Sequence, residues 1–195
     1  VFNTHVHGDH WLGNQAVLEV WPKATLIGHP DMIKKARDGA DAFWIKLMSD
    51  MTKGFTDGTR AEIPTVEAAD GQEFRIGGKT FRIHSSTDAH SKTDLMIEIV
   101  EDRTVFTGDN VLSRQVMNLR DGTFKGVMKA TDRALALNAK LYVPGHGKSG
   151  DRKFVEEHQA YFTALMAEVR RMYDEGKSDF EMKPVIAEKL KAYKN

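Results

Sequence analysis

The sequence contains no cysteine. It therefore forms no disulfide, offers no thiolate nucleophile and builds no thiolate-ligated metal site. It also lacks a charge surplus, with 28 Lys+Arg against 28 Asp+Glu. Gripping nucleic acid through its phosphates needs a basic excess or stripe, so no nucleic-acid partner is expected. No apolar run approaches the roughly 18 residues of a membrane span, so no membrane partner is expected either. No signal peptide is visible, and the lack of cysteine leaves cytoplasm and periplasm equally open. Proline is scarce, at 5 residues, and no repeat, low-complexity tract or linker divides the 195 residues. That length predicts one domain spanning 1–195, and 41% apolar residues suffice for a core.

Strand-like runs occupy Val1–Thr4, Ala24–Gly28, Glu73–Ile76, Lys79–His84, Asp94–Val100, Arg103–Thr107 and Leu141–Val143. Gly77-Gly78 between two of them reads as a hairpin turn. Helical spacing appears at Leu12–Val20, at Asp31–Phe55 with a break near Gly39, and at Thr131–Ala139 with Thr131 as its cap. Asp151–Tyr173 shows the clearest helical period, and a last helix is predicted near Pro184–Tyr193 with proline in its first turn. Helices mixed with strands and hairpins indicate a layered α/β or α+β sandwich. Phe43, Trp44, Leu47, Met48, Met51 and Phe55 form a stripe read as core, with a flap over the site as the alternative.

The chemistry concentrates in His5-Val6-His7-Gly8-Asp9-His10. In an extended segment residues i and i+2 point the same way, so His5 and His7 can converge on one ion. Gly8 is expected to let the backbone turn sharply, bringing Asp9 and His10 to a neighbouring position. Imidazole and carboxylate are ordinary zinc ligands, and this pattern arises by chance in roughly one such chain in a thousand. Three further candidates sit beside strands: His90 before Asp94–Val100, Asp109 after Arg103–Thr107, and His146 after Leu141–Val143. Sheet ends are where a scaffold brings distant residues together. His84 competes with His90 and is read as a strand residue, while His29 and His158 are read as structural.

The motif Thr4-His5-Val6-His7-Gly8-Asp9-His10, followed by His90, Thr107-Gly108-Asp109 and Pro144-Gly145-His146-Gly147, resembles the metallo-β-lactamase superfamily of hydrolases. The resemblance implies an αβ/βα sandwich with two divalent metal ions, Zn by ligand type, with Fe or Mn as alternatives. His5, His7 and His90 would hold the first ion, Asp9, His10 and His146 the second, and Asp109 would bridge them. Some true β-lactamases carry cysteine at the Asp109 position, and this chain has none. The segments around His10–Asn14 and Val105–Val111 are similar to bacterial members of uncertain substrate. The family's motif normally follows several strands, whereas four residues precede His5 here. N-terminal truncation is therefore expected, with an unpaired edge near Val1–Thr4 that favours homo-oligomers.

Two cations about 3.5–4 Å apart would share a hydroxide and attack an ester, thioester, lactone or amide in a small-molecule substrate. Asp9 is the candidate catalytic residue, orienting the nucleophile and shuttling its proton. Asn110, Arg114, Asn118 and Lys125 are candidate substrate contacts, and Lys148 reads as a surface lysine. The alternatives are a β-lactamase proper, a non-catalytic metal-binding fragment completed by another chain, and an Fe-dependent enzyme resembling sulfur dioxygenases.

Overall fold

The computed structural model describes residues 1–115 and 117–193. In chain order its elements are α1 (Asn14–Val20), β1 (Ile27–Gly28), α2 (Pro30–Lys35), α3 (Asp41–Met51), β2 (Val66–Glu67), β3 (Glu73–Ile76), β4 (Lys79–Ser86), β5 (Asp94–Ile99), β6 (Thr104–Gly108), α4 (Phe124–Ala136), β7 (Leu141–Pro144), α5 (Arg152–Asp174) and α6 (Asp179–Lys189).

Alternation along β5 sets the layers. Leu95 and Ile97 face one side of the sheet with Ile83, and Met96 faces the other with Val105 and Tyr142. The five strands lie in the order β3-β4-β5-β6-β7, antiparallel except for the parallel β6–β7 pair. A parallel pair needs a long crossover, and α4 supplies it. One sheet face packs on α4 and α5 through Val105, Ala134, Leu135, Tyr142 and Val155. Tyr142 keeps its hydroxyl satisfied there, accepting from Ala139 N and donating to Ala134 O, both at 3.1 Å. The other face meets Ile27, Ala68 and Phe2 beside the small parallel β1–β2 sheet. The result is an α/β sandwich.

The expected bare edge at Val1–Thr4 is partly covered. Asn3 N donates to Ile27 O and Ile27 N to Val1 O, both at 2.8 Å, and Leu95 N donates to Thr4 O at 2.7 Å. Phe2 stacks on Phe81 with centroids 5.4 Å apart.

Several element boundaries differ from the sequence reading, and the strand expected at Val1–Thr4 is reduced to a single bridge between Phe2 and Ile27. α4 begins at Phe124 rather than near Thr131, because Thr123 caps it by accepting from Gly126 N at 2.9 Å. Thr131 lies inside the helix, buried, its hydroxyl donating to Val127 O at 2.8 Å. α6 begins at Asp179 with a Ser178–Glu181 capping box, which outweighs the internal Pro184. The strand expected at Ala24–Gly28 is reduced to Ile27–Gly28. The break near Gly39 is real, with φ 107° there, but α3 ends at Met51 and leaves Phe55 91% exposed. Of the predicted core stripe, Trp44 and Met48 pack inward together with Ile45, against Val6, Trp11 and Met32. Phe43 and Met51 face outward.

Candidate metal centre

Each candidate residue arrives on a segment whose backbone is tied down. His7 is extended, at φ −69° and ψ 137°, and a single tight turn over Gly8–His10 follows it. Gly8 does not take a left-handed conformation. It is needed for room, since a Cβ there would sit 2.9 Å from Trp44 Cβ. Trp11 Nε1 donates to Val6 O at 2.9 Å and Asn3 Nδ2 to His10 O at 3.2 Å, so the turn is held from both sides.

The segment carrying His90 is joined to this turn by a buried polar relay. Asp94 accepts from Ser91 N at 2.7 Å and Ser91 Oγ at 2.6 Å. Ser91 Oγ lies 3.1 Å from Thr93 Oγ1, which accepts from Val6 N at 3.2 Å. Burial pushes the Asp94 carboxyl up to about 6, against the hydrogen bonds from Ser91. Asp109 follows β6 and His146 follows β7, so the parallel pairing of those strands brings them together. Gly145 completes the approach, because any Cβ there would strike Asp109 Oδ1 and the His10 ring.

All seven sequence candidates meet in one cluster. Among the described residues, three groups have ligand atoms mutually within 4.8 Å: His5 with His7 and His90, Asp9 with His10 and His146, and His5 with His10 and Asp109. Within the first, His90 Nε2 lies 3.0 Å from His7 Nδ1. Within the second, His146 Nε2 lies 3.1 Å from Asp9 Oδ2 and 3.2 Å from His10 Nε2. Asp109 touches both: Oδ2 is 3.5 Å from His90 Nε2 and from His146 Nε2, and Oδ1 is 3.5 Å from His10 Nε2.

The electrostatics ask for cations. Burial, reinforced by neighbouring imidazoles, drives His5 well below the ordinary histidine range, and burial lowers His90 to about 4. These rings present lone pairs. Burial also opposes charge on His10, but the neighbouring Asp109 and Asp9 carboxylates override it and push the ring up to about 9. The His10 hydrogen bond in turn lowers Asp9 to about 2. His5 Nε2 and Asp109 Oδ1 are buried without a hydrogen-bond partner. A buried orphan is costly, and a divalent ion would satisfy both. His5 Nδ1 lies 3.1 Å from Thr4 Oγ1, which leaves Nε2 to face the cluster. The residues present fit divalent metal ions.

The remaining histidines lie elsewhere. His84 Nε2 pairs with Glu98 Oε2 at 2.9 Å, His29 Nδ1 caps α2 by accepting from Asp31 N at 3.1 Å, and His158 is buried beside Phe162. Of the candidate substrate contacts, Asn110 is 1% exposed and is walled off from solvent. Arg114 faces Glu157 at 3.7 Å, Asn118 accepts from Arg120 N at 2.9 Å, and Lys125 and Lys148 are exposed. Asp121 did not stand out in the sequence, where Arg-Asp-Gly reads as a turn, yet its Oδ2 lies 3.1 Å from His7 Nε2. No helix among the described residues is long and apolar enough to cross a membrane.

Known proteins are similar to this chain in sequence and in fold. An atrochrysone carboxyl ACP thioesterase of Aspergillus novofumigatus is 32% identical over 149 residues, 75% of this chain and 36% of the relative. A hydroxyacylglutathione hydrolase of Methylococcus capsulatus is 25% identical over 145 residues, 73% of this chain and 45% of the relative. The chain thus spans about two fifths of the length of such curated relatives. Among solved structures, a metallo-beta-lactamase from Pontibacter korlensis superposes with a TM-score of 0.63 at 20% identity, covering 83% of this chain and 67% of that one. An archaeal superfamily protein from Sulfolobus tokodaii gives 0.58 at 23% identity, covering 82% and 65%. The family profile described as the metallo-beta-lactamase superfamily matches residues 1–146. With the profile matching most of its length and the sandwich superposing on solved members, this chain belongs to the metallo-β-lactamase superfamily.

Proposed function

We propose that the chain carries the catalytic centre of a dinuclear metallohydrolase that cleaves activated acyl bonds, thioesters first. One observation carries the reading: His5, His7 and His90 form one ligand triad, Asp9, His10 and His146 form another, and Asp109 contacts both. A pair of divalent ions held by these residues supplies a water acidified towards neutral pH and a polarised acyl carbonyl.

The protein side chains do the rest. Asp109, 6% exposed, contributes buried negative charge between the triads and offsets that of the cations. Asp9 is ionised at neutral pH and half exposed at the open side of the cluster. Its carboxylate is placed to accept a hydrogen bond from attacking water and to pass that proton towards the departing thiolate. His146, 41% exposed, marks the side from which substrate reaches the centre. The apolar edge of Trp44, tilted at 47° against His7 with centroids 4.9 Å apart, offers a wall for an acyl group. The preference for thioesters is supported by relatives named as a thioesterase and as a hydroxyacylglutathione hydrolase.

The test is a turnover panel with Zn²⁺-, Mn²⁺- and Fe²⁺-loaded protein: acyl-glutathione and acyl-pantetheine thioesters, a lactone, and a chromogenic cephalosporin. Chelator-sensitive thioester turnover at least tenfold above the other substrates is expected. Preferential lactone or cephalosporin turnover overturns the thioester preference, and no turnover with any metal overturns the hydrolase reading of this chain.

A further inference from the structure

The outward nitrogen of His7 meets a carboxylate outside the ligand cluster. Nδ1 of this ring lies 3.0 Å from His90 Nε2, inside the first triad. Nε2, on the opposite side, lies 3.1 Å from Asp121 Oδ2. The same carboxylate oxygen accepts from Arg120 Nη2 at 2.9 Å and Nε at 3.2 Å. A guanidinium only donates, so the Asp121 carboxylate is the acceptor in both of these bonds. An acceptor there requires the proton to sit on Nε2, and in a neutral imidazole Nδ1 then carries the lone pair.

The chain delivers Asp121 to this spot by anchoring its loop on the segment that carries His90. Thr123 N donates to Asp88 O at 3.0 Å and to Ala89 O at 2.9 Å, and its hydroxyl donates to Asp88 O at 2.8 Å. That hydroxyl also caps α4 by accepting from Gly126 N. Two glycines make the contact possible. A Cβ at Gly122 would strike the carbonyl oxygens of Ala89 and His90, and one at Gly126 would strike that of Asp88. The run Arg120-Asp121-Gly122-Thr123-Phe124-Lys125-Gly126 therefore lies flat against the backbone that carries His90. Asp121 is thereby fixed relative to two members of the first triad.

We propose that Asp121 is a positioning residue: it accepts the His7 Nε2–H and so holds His7 in the tautomer whose Nδ1 lone pair faces His5 and His90. The consequence for metal binding rests on the dinuclear reading above, while the tautomer itself does not. Partners of this kind orient a ligating histidine and raise its basicity, and losing one typically lowers metal affinity 10–100-fold. A surface ion pair between Arg120 and Asp121 alone would leave the His7 tautomer unset.

The test uses metal-free chain labelled with ¹⁵N in histidine, with imidazole nitrogen shifts recorded for wild type, Asp121→Ala and Asp121→Asn. A parallel competition titration with Zn²⁺ follows the first equivalent bound. In the wild type, His7 is expected as the Nε2–H tautomer. Asp121→Ala is expected to give mixed tautomers and ~10–100-fold weaker binding of the first Zn²⁺. Asp121→Asn, whose amide oxygen still accepts the bond, is expected to recover most of both. An Nδ1–H tautomer in the wild type overturns the proposal without recourse to any variant. So does an Asp121→Ala protein with wild-type His7 shifts and Zn²⁺ affinity within about threefold. If the wild type binds no Zn²⁺, the dinuclear reading fails, and the nitrogen shifts still decide the role of Asp121.

Discussion

The His158→Phe variant is expected to hold its stability in acid better than the parent chain. His158 lies 6% exposed on α5, between the Phe162 ring, 4.9 Å away by centroids, and Thr131 Oγ1, 3.4 Å from its Nδ1. The Thr131 hydroxyl hydrogen is committed to Val127 O, so Nδ1–H is the donor of that pair. Nε2 is left buried without a partner. Protonating it would place a cation in an apolar wall, and burial accordingly lowers the ring from 6.5 to about 4. The folded pKa lies below the unfolded one, so the unfolded chain binds the extra proton. Stability is then present above pH ~6.5 and is lost as pH falls towards about 4. Between pH 7.5 and 4.5 the linkage amounts to about 2.5 kcal/mol for this group alone. Phenylalanine fills a similar volume and has no such titration. Urea melts of both proteins in chelator at the two pH values isolate the difference, because the site histidines are common to both. A wild-type loss exceeding the variant's by about 2–3 kcal/mol is expected. Equal losses would refute the claim that the pocket holds His158 neutral.

Three further outcomes follow from the site. Asp9→Asn is expected to lower kcat by at least ~10²-fold while the protein retains the ion of the His5–His7–His90 triad, read by kinetics and metal content together. Gly145→Ala pushes a Cβ into Asp109 Oδ1 and His10. It should fold, as judged by circular dichroism, but lose at least one equivalent of metal. Adding Zn²⁺ at ~100 times its Kd to chelated protein should stabilise it by about 2.7 kcal/mol and raise Tm by several degrees. No shift would argue that the cluster does not bind the ion.

The site was legible in sequence largely because four of its members fall between residues 5 and 10. His5, His7, Asp9 and His10 need only an extended segment and one tight turn to converge, and the structure shows both. Asp109 and His146 were recognisable because each follows a strand-like run, and the structure pairs those two strands side by side. Asp121 was not, since its partner His7 lies 114 positions away and its own neighbours spell an ordinary turn. The layered fold could be inferred from strand-like runs and a hairpin mixed with helical stretches, of which α5 has the clearest period. The misplaced boundaries arise where a local signal is overridden by a tertiary contact or by a stronger local cap. Gly126 looks like a helix breaker, yet it sits in the first turn of α4 because only glycine fits against Asp88 O. Pro184 looks like a helix start, yet the Ser178 capping box begins α6 a turn and a half earlier. The stripe on α3 has helical spacing, but only Trp44, Ile45 and Met48 have a core to meet.

The central claim is that seven side chains hold two ions, and elemental analysis of chain purified without chelators, then again after dialysis against Zn²⁺, tests it most directly. Two equivalents of divalent metal per chain are predicted, falling to one in Asp9→Asn. One equivalent or none in the wild type, even after excess metal is offered, would contradict the dinuclear account.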